Sequence, residues 1–410
     1  MSTRRAIYCL ALGQTIVWAG IFYVFAALLP RWELVEGWSK TGLGATFAGA
    51  IALSALASPS AGRLVDRGAG PQLLAGAALL GALGVGLLPL APSLTVFAAL
   101  WLVIGLAMAG ALYEPCFAVV TRCLGAESRR AITTITLFAG FASSLAFPAG
   151  HILAETGGWP AATTVAALAT ALLAAPLLWI GAHGLERAHR TRVAWQTRSE
   201  PEDAKARDLA EPGGRIRETV MRRPAFVLLA VSFSGVWLGH GIVIAHILPI
   251  LDARGVTPAS AVLFASLIGP MQVAGRVIMR VFEDRLHVNT VTMTGFVAMI
   301  VGMLSLLLAG LSTALLLPFV FLHGAGYGVM SVMRPVSTRM ILGEAQFGAI
   351  SGAIALPTLL AAAAAPFIGA VLWQIGGYDL AILTVCAAFA AGLGAYIAAA
   401  RASSGAHDPR

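Results

Sequence analysis

Charge is what this chain lacks. Its 27 basic and 19 acidic side chains make up 11% of 410 residues, where a soluble domain carries about 25%. That scarcity excludes a freely soluble globular protein. Cysteine is scarce as well, and the four present (Cys9, Cys116, Cys123, Cys386) have no CxxC spacing. They lie in or at the ends of apolar stretches and read as packing residues, with no disulfide framework and no metal site. Enzyme signatures are missing: there is no HExxH and no GxSxG. The phosphate-cradling GxxxxGK[ST] is also absent, so the sequence points to no ATP-driven step, no enzyme and no cofactor. The apolar stretches do not alternate with period two, which excludes the strands of a membrane barrel.

What is present in quantity is apolar sequence: 58% hydrophobic residues and a mean hydropathy of +0.84. Polar breaks divide the chain into twelve apolar stretches at 6–29, 40–61, 71–90, 94–119, 131–154, 160–182, 224–249, 257–280, 288–309, 312–335, 345–373 and 378–400. Each is near the ~20 residues a bilayer-crossing helix needs. The expected fold is therefore an all-α integral membrane protein of twelve transmembrane helices. The long polar break at 183–223 holds ten Lys/Arg, seven acids, Pro201, Pro212, Gly213 and Gly214. Such a composition buries no core. It predicts a cytoplasmic linker, with room for a short surface helix, between a six-helix bundle at 1–182 and another at 224–410.

Net charge +8 raises the question of nucleic acid, but the placement of the positives answers it. With the N-terminus inside, the cytoplasmic segments hold 22 Lys/Arg and the opposite loops only Arg31, Lys40 and Arg254. That is the positive-inside pattern, with both termini cytoplasmic and the bilayer, not nucleic acid, as partner. MSTRR before a long apolar run imitates a signal peptide; without a small-residue cleavage site it reads as a retained first helix.

The halves echo each other. Trp18 precedes Pro30 by twelve residues, and Trp237 precedes Pro249 by twelve. Gly62-Arg63-Leu64-Val65-Asp66-Arg67 is answered by Arg280-Val281-Phe282-Glu283-Asp284-Arg285, and Glu114-Pro115 by Arg334-Pro335. An internal repeat in a twelve-helix chain implies two bundles rocking about a site at their interface near mid-membrane.

At these residues the chain resembles the major facilitator superfamily. Gly62 to Gly68 is similar to the family's signature between its second and third helices, and the resemblance extends over all twelve stretches. It implies that Asp66 and Arg67 latch the cytoplasmic helix ends when the carrier faces outward. A charged turn with no such role is the plain alternative. Within the family the chain looks like the bacterial monocarboxylate and oxalate carriers at Gly37-Trp38-Ser39, at Arg129-Arg130-Ala131 leading to Gly140, and at Arg276 with Gln272 one turn earlier. In monocarboxylate carriers that arginine holds the substrate carboxylate, and an acid one turn before it takes the coupling proton. Gln272 stands at that place here and cannot ionise.

Of the 46 charged side chains, six fall within these bounds: Lys40, Arg280 and Asp379 lie within a residue of a stretch's end and read as loop charges, and Glu114, Arg276 and Arg334 are the ones read as intramembrane. Each costs roughly 2.5–3.5 kcal/mol at a helix centre on insertion scales, so each needs a partner, a wet cavity or a task. Two positives against one negative favour an anion. Arg276 reads as a carboxylate anchor or as a residue snorkelling to the cytoplasmic surface. Arg334 reads as a second anion contact or half of an ion pair with Glu114. Glu114 is the one intramembrane carboxylate and the candidate proton carrier. His240, His246 and His323 can relay protons or simply pack. Trp18 and Trp237 can stack a flat cargo or pack, and Tyr113 can donate to a carboxylate.

The expected function is secondary transport of a small, monocarboxylate-like anion by alternating access, as proton-coupled uptake across the bacterial inner membrane by a monomer. A flat aromatic or vitamin such as riboflavin, or efflux of a drug, is the alternative cargo. A non-transporting sensor is a third reading, which the short linker disfavours.

Overall fold

The computed structural model describes residues 1–199, 220–282 and 285–404. Residues 200–219 of the expected linker and the Glu283-Asp284 pair of the second signature copy lie outside the described residues.

Among the described residues there are helices and turns and no strand. In hydrocarbon a helix satisfies every backbone group within its own segment, and apolar Ala/Leu/Gly stretches leave no other use for the backbone. The first helix, α1 (Thr3–Glu36), starts at Ser2, whose hydroxyl accepts from the Arg5 amide, and ends at Gly37 with φ 68°. Then come α2 (Lys40–Leu64), capped by Ser39, and α3 (Gly70–Leu87). Next is α4 (Leu94–Leu124), capped by Ser93. The long run from Ser128 divides at Gly158, φ 76°, into α5 (128–157) and α6 (159–199). The C-terminal helices are α7 (Pro224–Ala253), α8 (Pro258–Val281), α9 (Val288–Leu307) and α10 (Leu316–Leu342). The last run divides at Gly377, φ 68°, into α11 (347–375) and α12 (378–404). That makes the twelve helices expected. Among the described residues, seven reversals carry a glycine at positive φ, Gly37, Gly68, Gly125, Gly158, Gly255, Gly343 and Gly377, a conformation that a Cβ disfavours.

One boundary differs. Residues 183–199, read as linker, continue α6. The reason is local: Glu186 and Arg190 pair one turn apart at 3.2 Å, and the intervening residues are helix-tolerant.

The chain forms two compact units, Met1–Thr219 with Glu344–Leu356, and Val220–Gly343 with Pro357–Arg410. In the first, small residues set the helix spacing. A methyl added at Gly105 on α4 would lie 2.7 Å from Ala50 Cα on α2. Its aromatic core stacks Phe25 on Phe47 at 4.4 Å, with Trp101 edge-on to Phe25 at 4.7 Å. In the second unit, a methyl at Gly275 on α8 would lie 2.6 Å from Ala325 Cα on α10. Close backbone approach of this kind is how helices associate where no water drives them together.

Candidate functional site

The two arginines singled out from the sequence both lie in the second unit. Gln272 and Arg276 are one turn apart on α8, and Gly328 of α10 lies against the Gln272 backbone. That near-contact brings the α10 backbone within reach of the next turn of α8. Arg276, 5% exposed, donates from Nε to the Gly328 carbonyl at 3.2 Å and from a terminal nitrogen to Ser331 Oγ at 3.2 Å. Ser331 Oγ in turn donates to the same carbonyl at 2.7 Å. The guanidinium is thus turned into the unit and oriented by α10. Gln272 is half-buried.

Arg334, 3% exposed, sits on α10 with its Cζ 5.2 Å from the Trp237 ring centre. A cation over an indole face gains from the ring quadrupole, more so away from water. Trp237 meets Tyr327 at 5.5 Å, and Tyr327 stacks on His240 at 3.4 Å and 10°. Residues 323, 327, 331 and 334 follow helical spacing, so α10 presents His323, Tyr327, Ser331 and Arg334 along one side. His240 Nδ1 lies 3.1 Å from His323 Nε2. His246, further along α7, is apart from this group: its Nε2 lies 2.9 Å from the Pro366 carbonyl of α11.

The first unit holds the other candidates around an interruption in α4. Leu112 is extended (φ −83°, ψ −160°), and Tyr113, Glu114 and Pro115 begin the second part of the helix, Tyr113–Leu124. Proline has no amide to give the carbonyl four residues back. That carbonyl belongs to Ala111, and the Gln14 side chain supplies the missing donor at 2.8 Å. Glu114, half-buried, stands in the first turn of the restarted helix, where the positive end of the helix dipole favours a carboxylate. Trp18 packs on Tyr113 at 4.6 Å, and Tyr113 stacks on Phe117 at 4.9 Å. Trp18 opens a π-helical turn, Trp18–Tyr23, a local widening common at functional sites.

Asp66 belongs to the same unit. Its Oδ1 accepts from the Gly348 amide at 2.8 Å and its Oδ2 from the Ala349 amide at 2.7 Å, at the start of α11. A carboxylate there satisfies two amides that a helix leaves without internal partners. Arg67 is exposed. The group that consolidates this end is one the sequence reading passed over. Glu186, 4% exposed, accepts from Arg122 at 2.6 Å and from Arg190 at 3.2 Å, and Arg190 reaches the Gly68 carbonyl at 3.4 Å. The i,i+4 spacing of Glu186 and Arg190 was the available signal, obscured by counting both as linker.

Glu114 is in the first unit and Arg334 in the second. Among the described residues, no group of three or more His, Cys, Asp or Glu forms a metal site.

The sequence profile of the Major Facilitator Superfamily matches residues 10–355. No curated protein matches this chain. Among solved structures, the proton:xylose symporter XylE bound to 6-bromo-6-deoxy-D-glucose is 15% identical. The match covers 96% of this chain and 94% of that one, with a TM-score of 0.73. The transporter FucP in its outward conformation is 13% identical over 96% and 98% of the two chains, TM-score 0.72. A variant of the E. coli fucose:proton symporter FucP is 13% identical over 97% and 99%, TM-score 0.72. At such identities the likeness is one of fold.

Proposed function

The chain belongs to the major facilitator superfamily and is a multi-pass membrane transporter, and we propose that its cargo is a small organic anion of monocarboxylate type. Uptake runs by alternating access with proton symport across the bacterial inner membrane, both termini facing the cytoplasm. The observation that carries the reading is the pair of buried arginines on α8 and α10. Arg276 is oriented by two hydrogen bonds to α10, and Arg334 is seated on Trp237. Two cations in one unit attract an anion, and an oriented guanidinium fork matches a carboxylate in plane. Proton coupling in the similarly folded xylose and fucose symporters supports symport here. Glu114, at the start of a broken helix, is a second ionisable group available to the cycle, and Asp66 acts as a releasable clamp on α11.

A flat aromatic cargo is the second reading, favoured by the run Trp18, Tyr113, Phe117 in one unit and Trp237, Tyr327 in the other. Proteoliposome uptake of lactate, oxalate and riboflavin separates the two. The anion reading expects entry of a carboxylate, lost in Arg276→Ala and in Arg334→Ala. Riboflavin entry without carboxylate entry transfers the assignment to the second reading. Binding with no counterflow of any of the three would revive a sensor.

A further inference from the structure

Arg334 is not an isolated cation. It begins a contiguous series of planar groups that runs through Trp237 and Tyr327 to His240 and ends at His323. His323 has no exposed surface, and its Nδ1 is buried without a hydrogen-bond partner among the described residues. Phe319, at 5.6 Å, and Phe389, at 6.0 Å, cover its ring, and Gly302 of α9 lies against its backbone amide and Cβ. Histidines that only pack normally satisfy both ring nitrogens when fully buried. This one keeps a polar atom open in an apolar enclosure, at the cost that carries.

The pair has a definite proton capacity. The 3.1 Å contact holds one N–H between the two rings, donated by either partner. In both arrangements one bare nitrogen is left outside the contact: His323 Nδ1 when His323 donates, His240 Nε2 when His240 donates. A proton added there leaves the contact intact and gives the pair a single positive charge. A second added proton would have to break the contact and place two cations side by side. The pair is built to hold one proton.

We propose that His240 and His323 form the coupling-proton site of this carrier, and that an anion at Arg334 and a proton on the pair load together. This rests on the anion reading given above. Three ionisable groups among the described residues stand near the pair. Tyr327 stacks on it directly, Arg334 stands beyond Trp237 and Tyr327 in the series, and α12 carries Cys386 beside Val385, which packs on Gly239. Arg334 and a protonated pair are like charges in a medium that screens poorly, so each opposes the other. An anion on Arg334 cancels that opposition. Binding linkage is reciprocal, so the proton promotes anion binding by the factor with which the anion promotes protonation. A carrier with such a site takes up a monoanion and one proton as a neutral couple.

The pair is tested without cargo first. Full-length protein labelled with 15N-histidine, in lipid nanodiscs, is titrated from alkaline to acid pH. His240 and His323 resonances, identified by their loss in His240→Gln and His323→Gln, are expected to move together over a single one-proton step. Independent titration of the two rings, or no titration, overturns the proposal. Transport supplies the second test, with lactate and oxalate as probes. A one-unit pH gradient drives roughly tenfold accumulation for one proton per monoanion. In either glutamine variant the accumulation is expected to fall to about one, while exchange of labelled for unlabelled anion continues. Gradient-driven accumulation in the double variant overturns the proposal even if the rings titrate. If neither probe enters with the wild-type protein, the anion reading fails, and the NMR titration still decides the pair.

Discussion

An arginine buried in a membrane bundle is held there by structure or by cargo, and Arg276 offers a way to tell these apart. Its bonds to the Gly328 carbonyl and Ser331 hydroxyl stabilise the α8–α10 contact only so far as they exceed the cost of burying the cation. Replacing a buried charge by an apolar residue of similar volume is often neutral or stabilising. The Gly328 carbonyl also retains the Ser331 donor. Arg276→Met is therefore expected to keep thermal stability within about 1 kcal/mol of wild type while abolishing anion uptake. A large drop in the unfolding temperature, with residual uptake in proportion to folded protein, would assign the arginine to structure. Burial cost depends on residue type and depth and hardly on the fold, which is why Arg276, Arg334 and Glu114 stood out in the bare sequence. His323 did not stand out to the same degree. Its interest lies in what packs around it, and nothing along the chain specifies that Phe319 and Phe389 converge on one ring.

At the scale of the element, α4 shows how one side chain carries a local break. Pro115 withdraws a backbone donor, and Gln14, a buried residue of α1, replaces it at the Ala111 carbonyl. Gln14→Leu strands that carbonyl in an apolar setting, and an orphaned buried acceptor costs about 1–3 kcal/mol. Pro115→Ala returns an amide to the position that would serve it. Thermal unfolding of the two single variants and the double variant closes a mutant cycle. The double variant is expected to be more stable than Gln14→Leu alone; strict additivity would mean that the glutamine and the proline act independently. The proline and the neighbouring carboxylate were legible in the sequence as one half of the internal repeat. The donor 97 residues away was not, because a side-chain bond between distant segments leaves no mark in periodicity. The length of α6 was hidden for the opposite reason: a composition rich in charge suggested linker, whereas Glu186 and Arg190 pair within a turn and carry the helix onward.

For the whole molecule, the twelve-helix pattern was fully legible, since bilayer thickness fixes the length of each apolar stretch. What the stretches did not convey is that α11 changes allegiance along its length. Residues 344–356 belong to the first unit, and the second unit resumes at Pro357, a residue that removes one helix hydrogen bond at that junction. Asp66 fastens the early turn of α11 by two amides, and a methyl on Gly348 would crowd the same carboxylate at 2.7 Å. In a carrier that alternates between two states, a contact made in only one of them sets their relative populations. Asp66→Ala removes both acceptors, and charge-assisted bonds of this kind are worth about 1.5–3 kcal/mol each. Asp66→Asn keeps the size and one acceptor oxygen. If Asp66 clamps one state, Asp66→Ala shifts the accessibility of single cysteines placed at the two ends of the carrier, lowers the transport rate, and leaves the unfolding temperature nearly unchanged. Asp66→Asn falls between it and wild type. A clamp that serves folding alone would lower the unfolding temperature in the same order and leave the balance of accessibility where it was.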